Sequence, residues 1–174
     1  MNTLYPTVLG TDFQRLDPLL QQFHQAHDVV WHGHADVRWT DRPALRALLR
    51  LARLPAEGRA VPLQVRVLHG GNKEVWQRRF ASRTMASRQY RKASRVQEAF
   101  GPIRLSLDSR IQGAGLIQHS VRSHYLGIPL PGWCALQVSA HEWQEAGLFH
   151  FDVAIRFGPW TLIGYTGCLR PDAP

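Results

Sequence analysis

The stretch Leu148–Phe157, LFHFDVAIRF, decides the fold. Its odd positions, Phe149, Phe151, Val153, Ile155 and Phe157, are all apolar, with His150, Asp152, Ala154 and Arg156 between them. A period of two is the mark of a strand with one dry face and one wet face. Two neighbours repeat the pattern. Cys134–Trp143 precedes it across Gln144-Glu145-Ala146-Gly147, and Trp160–Leu169 follows across Gly158-Pro159, which makes a three-strand meander.

Further out, Ile103–Ile111 and Leu116–His124 pair across Gln112-Gly113-Ala114-Gly115. Leu63–Leu68 and Lys73–Phe80 read as a hairpin across His69-Gly70-Gly71-Asn72, and Val29–Arg38 alternates as a strand. Arg83–Tyr90 and Arg95–Phe100 carry weaker strand signals. Leu54–Pro62 reads as a loop, and LGIPLPGW, from Leu126 to Trp133, as an irregular corner.

Two helices come early. Asp17-Pro18 is an N-cap and first-turn pair, after which Leu16, Leu19, Leu20, Phe23 and His27 fall on one stripe of a helix over Asp17–Ala26. The second helix runs from about Asp41 to Leu54 with Thr40 as N-cap. Its Arg42, Arg46, Arg50 and Arg53 form a ridge, and its leucines pack on a sheet. The expected architecture is α+β: a curled antiparallel sheet or half-barrel of about eight or nine strands, a lipocalin-like cup. The two helices would cover an open mouth or an outer face.

With 174 residues, 44% of them hydrophobic, the chain reads as one domain over 1–174. A chain of this size buries roughly 70% of its unfolded surface without a disulfide or metal staple. No basic segment followed by an apolar run opens the sequence, and no apolar run is long enough for a membrane helix, so a cytoplasmic protein is expected. Cys134 and Cys168 sit in strand-like runs without CxxC spacing and read as buried free thiols. The net charge is +8, and the cations are nearly all arginine, Lys73 and Lys92 being the lysines. Such a bias also follows from a GC-rich coding sequence, so the charge raises the case for an anionic partner only modestly.

Several separated pieces carry a family resemblance: Leu9-Gly10-Thr11-Asp12-Phe13 before the Leu-Asp-Pro helix start; Val61–Val65 leading into Trp76–Phe80; Phe100-Gly101-Pro102-Ile103; Leu126–Pro131; Phe149–Val153; and Tyr165-Thr166-Gly167. In order and spacing they resemble the bacterial domain-of-unknown-function family 4166 over nearly the whole chain. The resemblance implies a domain that stands alone or follows a saccharopine-dehydrogenase-like oxidoreductase domain, and it implies no activity. The chain departs from the family pattern at Cys168, where a large aromatic is expected, which implies looser packing near the last strand.

Arg78 is the sharpest anomaly, because it shares a strand face with Trp76 and Phe80. An arginine pointing inward needs a partner. Either it anchors a ligand carboxylate, or it forms a structural ion pair, with Asp108 or Glu98 as partner, or it snorkels out at the strand end. His119, between Ile117 and Val121, is expected to face inward as a ligand donor, a general base or a satisfied core histidine. Tyr165, between Ile163 and Gly167, is expected to put its hydroxyl into the same space.

His32, His34 and Asp36 share one strand face, but the opposite face (Trp31, Gly33, Ala35, Val37) is the apolar one. They are therefore read as a wet polar face, with no metal site. Arg78 to Arg95 carries seven basic residues and no acidic one, with Tyr90 its lone aromatic after Phe80. That is thin interleaving for a nucleic-acid strand, which argues against such a partner. No serine or cysteine has a recognisable His and acid partner, and no cofactor is called for.

The reading is a non-catalytic binding module for a small apolar molecule, with or without an acidic group. Its interior would be lined by Trp76, Phe80, Phe149, Phe151 and Val153, with Arg78, His119 and Tyr165 as polar fixings. The alternatives are an accessory or catalytic domain working beside an oxidoreductase, a basic surface for nucleic acid or another anion, and a filled barrel serving a protein partner. A weak edge near Arg83–Phe100 would allow a homodimer.

Overall fold

The computed structural model describes residues 3–25, 28–70 and 73–172. A short helix α1 (Leu4–Leu9), a 3-10 turn (Gly10–Arg15) and α2 (Pro18–Gln25) lead into β1 (Val30–Trp39), and α3 (Pro43–Leu51) follows it. Then come β2 (Gly58–Gly70), β3 (Lys73–Phe80), β4 (Arg83–Lys92), β5 (Arg95–Phe100), β6 (Ile103–Gln112) and β7 (Gly115–Tyr125). The chain ends with β8 (Ile128–Pro129), a 3-10 turn (Gly132–Cys134), β9 (Leu136–Glu145), β10 (Leu148–Phe157) and β11 (Trp160–Pro171).

All pairings are antiparallel. Sequential neighbours pair from β1 to β7, β11 pairs with both β1 and β10, β10 with β9, and β9 with β7. The sheet thus closes on itself as a ten-strand barrel, with the two-residue β8 a spur on β7. This corrects the half-barrel of eight or nine strands. Within Arg83–Phe100, β4 pairs with β3 over Arg83–Tyr90 and with β5 over Arg88–Lys92, and β5 pairs with β6.

Alternation sorts the side chains as the opening stretch requires. Phe149 and Phe151 of β10 and Trp31, Ala35 and Val37 of β1 are buried, whereas His34 and Arg38 between them are exposed. The seam between β1 and β11 is unusually close: a Cβ on Gly33 would meet the Cys168 carbonyl oxygen, and one on Gly167 the His34 carbonyl oxygen. Cys134 and Cys168 are free, but only half buried. Cys168 faces outward, 3.8 Å from the His34 ring, so both thiols differ from the buried pair expected.

α1 and α2 close one end of the barrel. Tyr5, Phe13, Leu16, Leu20 and Phe23 are fully or almost fully buried there. The Asp17 carboxylate accepts the Leu19 N–H at 2.8 Å as an N-cap, and the Asp17 N–H donates to the Ala114 carbonyl at 2.9 Å. One residue therefore both starts the helix and fastens it to the β6–β7 turn. His27, counted on the same stripe, lies outside the described residues.

α3 is shorter than Asp41–Leu54, and its packing corrects the expected one. Leu49 is buried, but Leu48 and Leu51 are exposed, so apolar side chains stand in solvent beside the arginines. The expected loop up to Pro62 is also shorter, since β2 starts at Gly58. Pro62 is tolerated next to the register shift between Ala35 and Val37.

Candidate functional site

The barrel interior encloses a cavity of about 70 Å³. Its wall is mostly apolar, including Leu63, Val65, Trp76, Phe80, Phe149, Phe151, Val153 and Ile155. Tyr5 and Phe23 from the helical plug form its floor. Inward side chains at the plugged end are almost fully buried, as in Trp31, Val96, Leu116 and Phe149. Those at the far end, Leu136, Val138, Ile155 and Phe157, are only half buried, so the cavity opens there.

A chain of polar groups crosses this apolar space. Arg78 Nη1 donates to Ser87 Oγ at 3.0 Å and Nη2 to Glu98 Oε1 at 3.3 Å, and Ser87 Oγ donates to the same carboxylate oxygen at 2.7 Å. The guanidinium also lies 5.0 Å from the centre of the Trp76 ring. Nearer the plug, the Tyr5 hydroxyl is 3.1 Å from Gln89 Oε1 and 3.3 Å from Gln118 Oε1, and Gln118 Nε2 donates to Ser109 at 2.9 Å. His24 Nε2 lies 2.7 Å from Glu142 Oε2. Glu74 accepts the Leu4 N–H and the Trp76 indole N–H, each at 3.1 Å.

The electrostatics follow from this pairing. Burial is the largest influence on Arg78 and opposes its charge, but the Glu98 carboxylate together with Tyr165 and Tyr5 outweighs it, and the guanidinium pKa is raised. Burial pushes the Tyr165 phenol up to about 12 against the opposing pull of Arg78. Burial, reinforced by the Glu142, Glu98 and Glu74 carboxylates, holds Tyr5 well above the ordinary phenol value. The interior therefore favours neutral phenols and a matched ion pair.

Of the residues expected to line the interior, Trp76, Arg78, Phe80, Phe149, Phe151, Val153 and Tyr165 all reach the cavity. His119 does not. Its side chain is on the outer face, 45% exposed and 3.8 Å from Asp108. The inward residues of β7 are Leu116 and Gln118, one step out of phase with the expected face. A register shift in β6 between Ser106 and Leu107 lets Val121 bulge out and brings Ser123 inward further along. Asp108 faces outward with His119 and takes Arg110 at 2.9 Å, which leaves Glu98 as the partner of Arg78.

The reading of the sequence missed Glu74, Gln89, Gln118, Glu142, His24 and Tyr5. A usable signal existed for one of them: Glu74 continues the Trp76–Arg78–Phe80 face by one step. On the outer wall, His32 pairs with Asp172 at 3.0 Å, and Asp36 accepts the Ala60 N–H at 2.7 Å. An open groove of about 360 Å³ runs beside Asp36 and Asp152, and Asp152 accepts the Thr166 hydroxyl at 2.8 Å. The Asp36 and Asp152 carboxylates of that groove thus already have partners.

With the cavity and its wall in view, comparison with known proteins gives one match. Residues 16–169 fit the family model described as domain of unknown function DUF4166. The chain belongs to the DUF4166 family. No curated protein and no solved structure matches it. The stretches that resemble DUF4166 have distinct places in the barrel: Trp76–Phe80 and Phe149–Val153 build the cavity wall, while Leu126–Pro131 belongs to the open rim. A DUF4166 assignment brings no chemistry with it, so a functional reading rests on the cavity.

Proposed function

We propose that this chain is a non-catalytic barrel that binds one slender apolar molecule end-on in its interior. The observation that carries the reading is a mostly apolar cavity, open at one end and crossed by polar groups that are already matched. At about 70 Å³ the space is smaller than the ~150 Å³ of an engineered cavity that takes benzene. A narrow aliphatic chain suits it better than a ring, with the half-buried Val138, Val153 and Ile155 free to shift at the mouth. Because Arg78 is matched by Glu98, an acidic head would have to break that pair. A neutral hydroxyl or carbonyl is the better fit, hydrogen-bonded to Tyr165, whose hydroxyl stays protonated. The free thiols of Cys134 and Cys168 suit a reducing cytoplasm.

Native mass spectrometry of the purified chain, compared with its denatured mass, tests this. The expected result is an added mass that disappears on denaturation and is absent from Ala140→Trp, in which an indole fills the cavity. A bare native mass, together with a melting temperature that a long-chain alcohol does not raise, would overturn the reading.

A further inference from the structure

We propose that the open end of the barrel docks on an anionic lipid bilayer. Among the described residues, every large hydrophobic side chain that stands exposed belongs to this half of the molecule. Leu51, Leu126, Ile128 and Trp133 are 82%, 70%, 66% and 77% exposed. Leu51 ends α3, Leu126 and Ile128 flank the β7–β8 turn, Trp133 lies in the 3-10 turn before β9, and Trp160 opens β11.

These segments are neighbours around the rim. β2, β1, β11, β10, β9 and β7 are consecutive in the barrel, and the connections among them at this end carry all five residues. The Gly158 N–H donates to the Ala135 carbonyl at 3.3 Å, which joins the β10–β11 turn to the segment after Trp133. The Arg42 guanidinium lies 4.8 Å from the Trp160 ring centre, which joins α3 to β11. An exposed apolar patch of this extent marks a binding surface.

Charge selects the partner. The same end presents Arg50, Arg53, Arg104, Arg122 and Arg156, all exposed. The carboxylates there are Asp41 and Glu57, and Glu57 is held by Arg46 at 2.7 Å. At the plugged end, by contrast, cations and carboxylates alternate, as in Arg15 with Asp12 and His32 with Asp172. A rim that is both apolar and cationic repels a second copy of itself but matches anionic headgroups above acyl chains. Indole and leucine side chains enter the headgroup boundary while arginines stay with the phosphates. Nucleic acid would use the arginines and the two indoles but leave Leu51, Leu126 and Ile128 in water. The outer wall carries His34, Arg38, Arg66 and Arg170, all exposed, so the barrel lies on the bilayer and does not cross it. Docking would press the cavity mouth against lipid, yet it depends on surface residues and stands whether or not the interior holds a ligand.

The experiment is co-sedimentation of the full chain with vesicles of phosphatidylcholine alone, or mixed about equally with phosphatidylglycerol. The expected result is binding to the mixed vesicles that weakens with salt, with the tryptophan emission shifted to the blue. Trp133→Ser combined with Leu126→Ser lowers the partition coefficient at least roughly tenfold. Arg50→Glu combined with Arg53→Glu removes the preference for phosphatidylglycerol, whereas Lys92→Glu, at the plugged end, changes binding little. All of these positions are exposed, and unaltered melting temperatures verify the fold. The proposal is overturned by failure to bind mixed vesicles at low salt, by equal loss in Lys92→Glu, by a salt-stable dimer formed through this end, or by RNA binding that persists in Trp133→Ser with Leu126→Ser.

Discussion

At the plugged end of the barrel, Tyr5, Leu20 and Phe23 are sealed against Trp76 and Phe149, and the Tyr5 hydroxyl lies within hydrogen-bond distance of Gln89 and Gln118. At the open end, α3 lies over the strands with Leu49 inside and Leu51 outside, and Trp133 stands in solvent. The two helical segments differ in a way the sequence displays. α2 carries a single apolar stripe that one contact surface can cover, whereas the leucines of α3 surround most of its wheel and one surface cannot bury them all. A barrel wall with ten strands is common to both ends. The ends differ in whether the apolar area they present is matched by a partner within the chain.

The largest expected effect lies between the two ends, at the buried ion pair along the barrel. Glu98→Ala leaves the Arg78 guanidinium buried without its carboxylate, which costs about 3–5 kcal/mol in urea unfolding. Replacing both, Arg78→Met with Glu98→Leu, should recover most of that loss, because the pair is matched and its surroundings are apolar. A Glu98→Ala cost below about 1 kcal/mol would mean that water reaches Arg78 and that the seal stops short of the ion pair.

Next in size is the plug itself. Phe23 stacks on Phe149 with ring centres 4.2 Å apart and meets Trp31 edge-on at 4.9 Å. Phe23→Ala should cost about 3 kcal/mol and enlarge the cavity from its floor. If the variant instead unfolds with the wild-type midpoint, the helical plug is an attachment and not part of the core.

How far the sequence could be read follows from the same contrast. Leu148–Phe157 and the Trp76–Arg78–Phe80 face were legible because apolar inward residues there alternate with polar outward ones. β4 was not, since its inward residues include Ser87 and Gln89, which serve the internal hydrogen bonds and erase the hydrophobic period. That loss also hid the closure of the barrel, because β4 and β5 then resembled a weak edge. On β7 the more apolar-looking set, Ile117 and Val121, is the outer one. The register shift in β6, invisible in composition, decides which face Ser123 joins. α1 gives almost no signal: Thr3 makes no side-chain cap hydrogen bond, and Pro6 sits inside its first turn. The partner of Arg78 was legible as one of two carboxylates, and parity along β5 could have chosen Glu98.

A smaller effect comes from the buried phenols. The Tyr165 pKa rises from 10.0 to about 12 on folding, so the fold favours the neutral phenol. Its contribution is fully present below the unfolded value and is lost as pH rises from 10 towards 12. A shift of this size corresponds to about 2–3 kcal/mol. Tyr5 acts in the same direction. Urea unfolding across that alkaline window should therefore show the wild type losing stability more steeply than Tyr165→Phe. Parallel losses would place Tyr165 in contact with water and extend the open end further down the barrel.

The smallest expected effect on stability belongs to the rim, and it separates the two ends most directly. Trp133 makes up part of a 3-10 turn whose Cys134 N–H bonds to the Pro131 carbonyl at 3.0 Å, a contact of the backbone alone. Its indole is 77% exposed, so Trp133→Ala removes little buried area and should change the unfolding free energy by no more than about 0.5 kcal/mol. Phe23→Ala at the other end is the matched control, also an aromatic truncated to alanine, but with its ring almost fully buried. If the Trp133 ring were instead stabilising the barrel, the two costs would approach each other, and the exposed rim would be a feature of folding and not a surface held ready for a partner. A cost several-fold smaller at Trp133 leaves its exposure without a role in stability, which is the condition that a docking surface must meet.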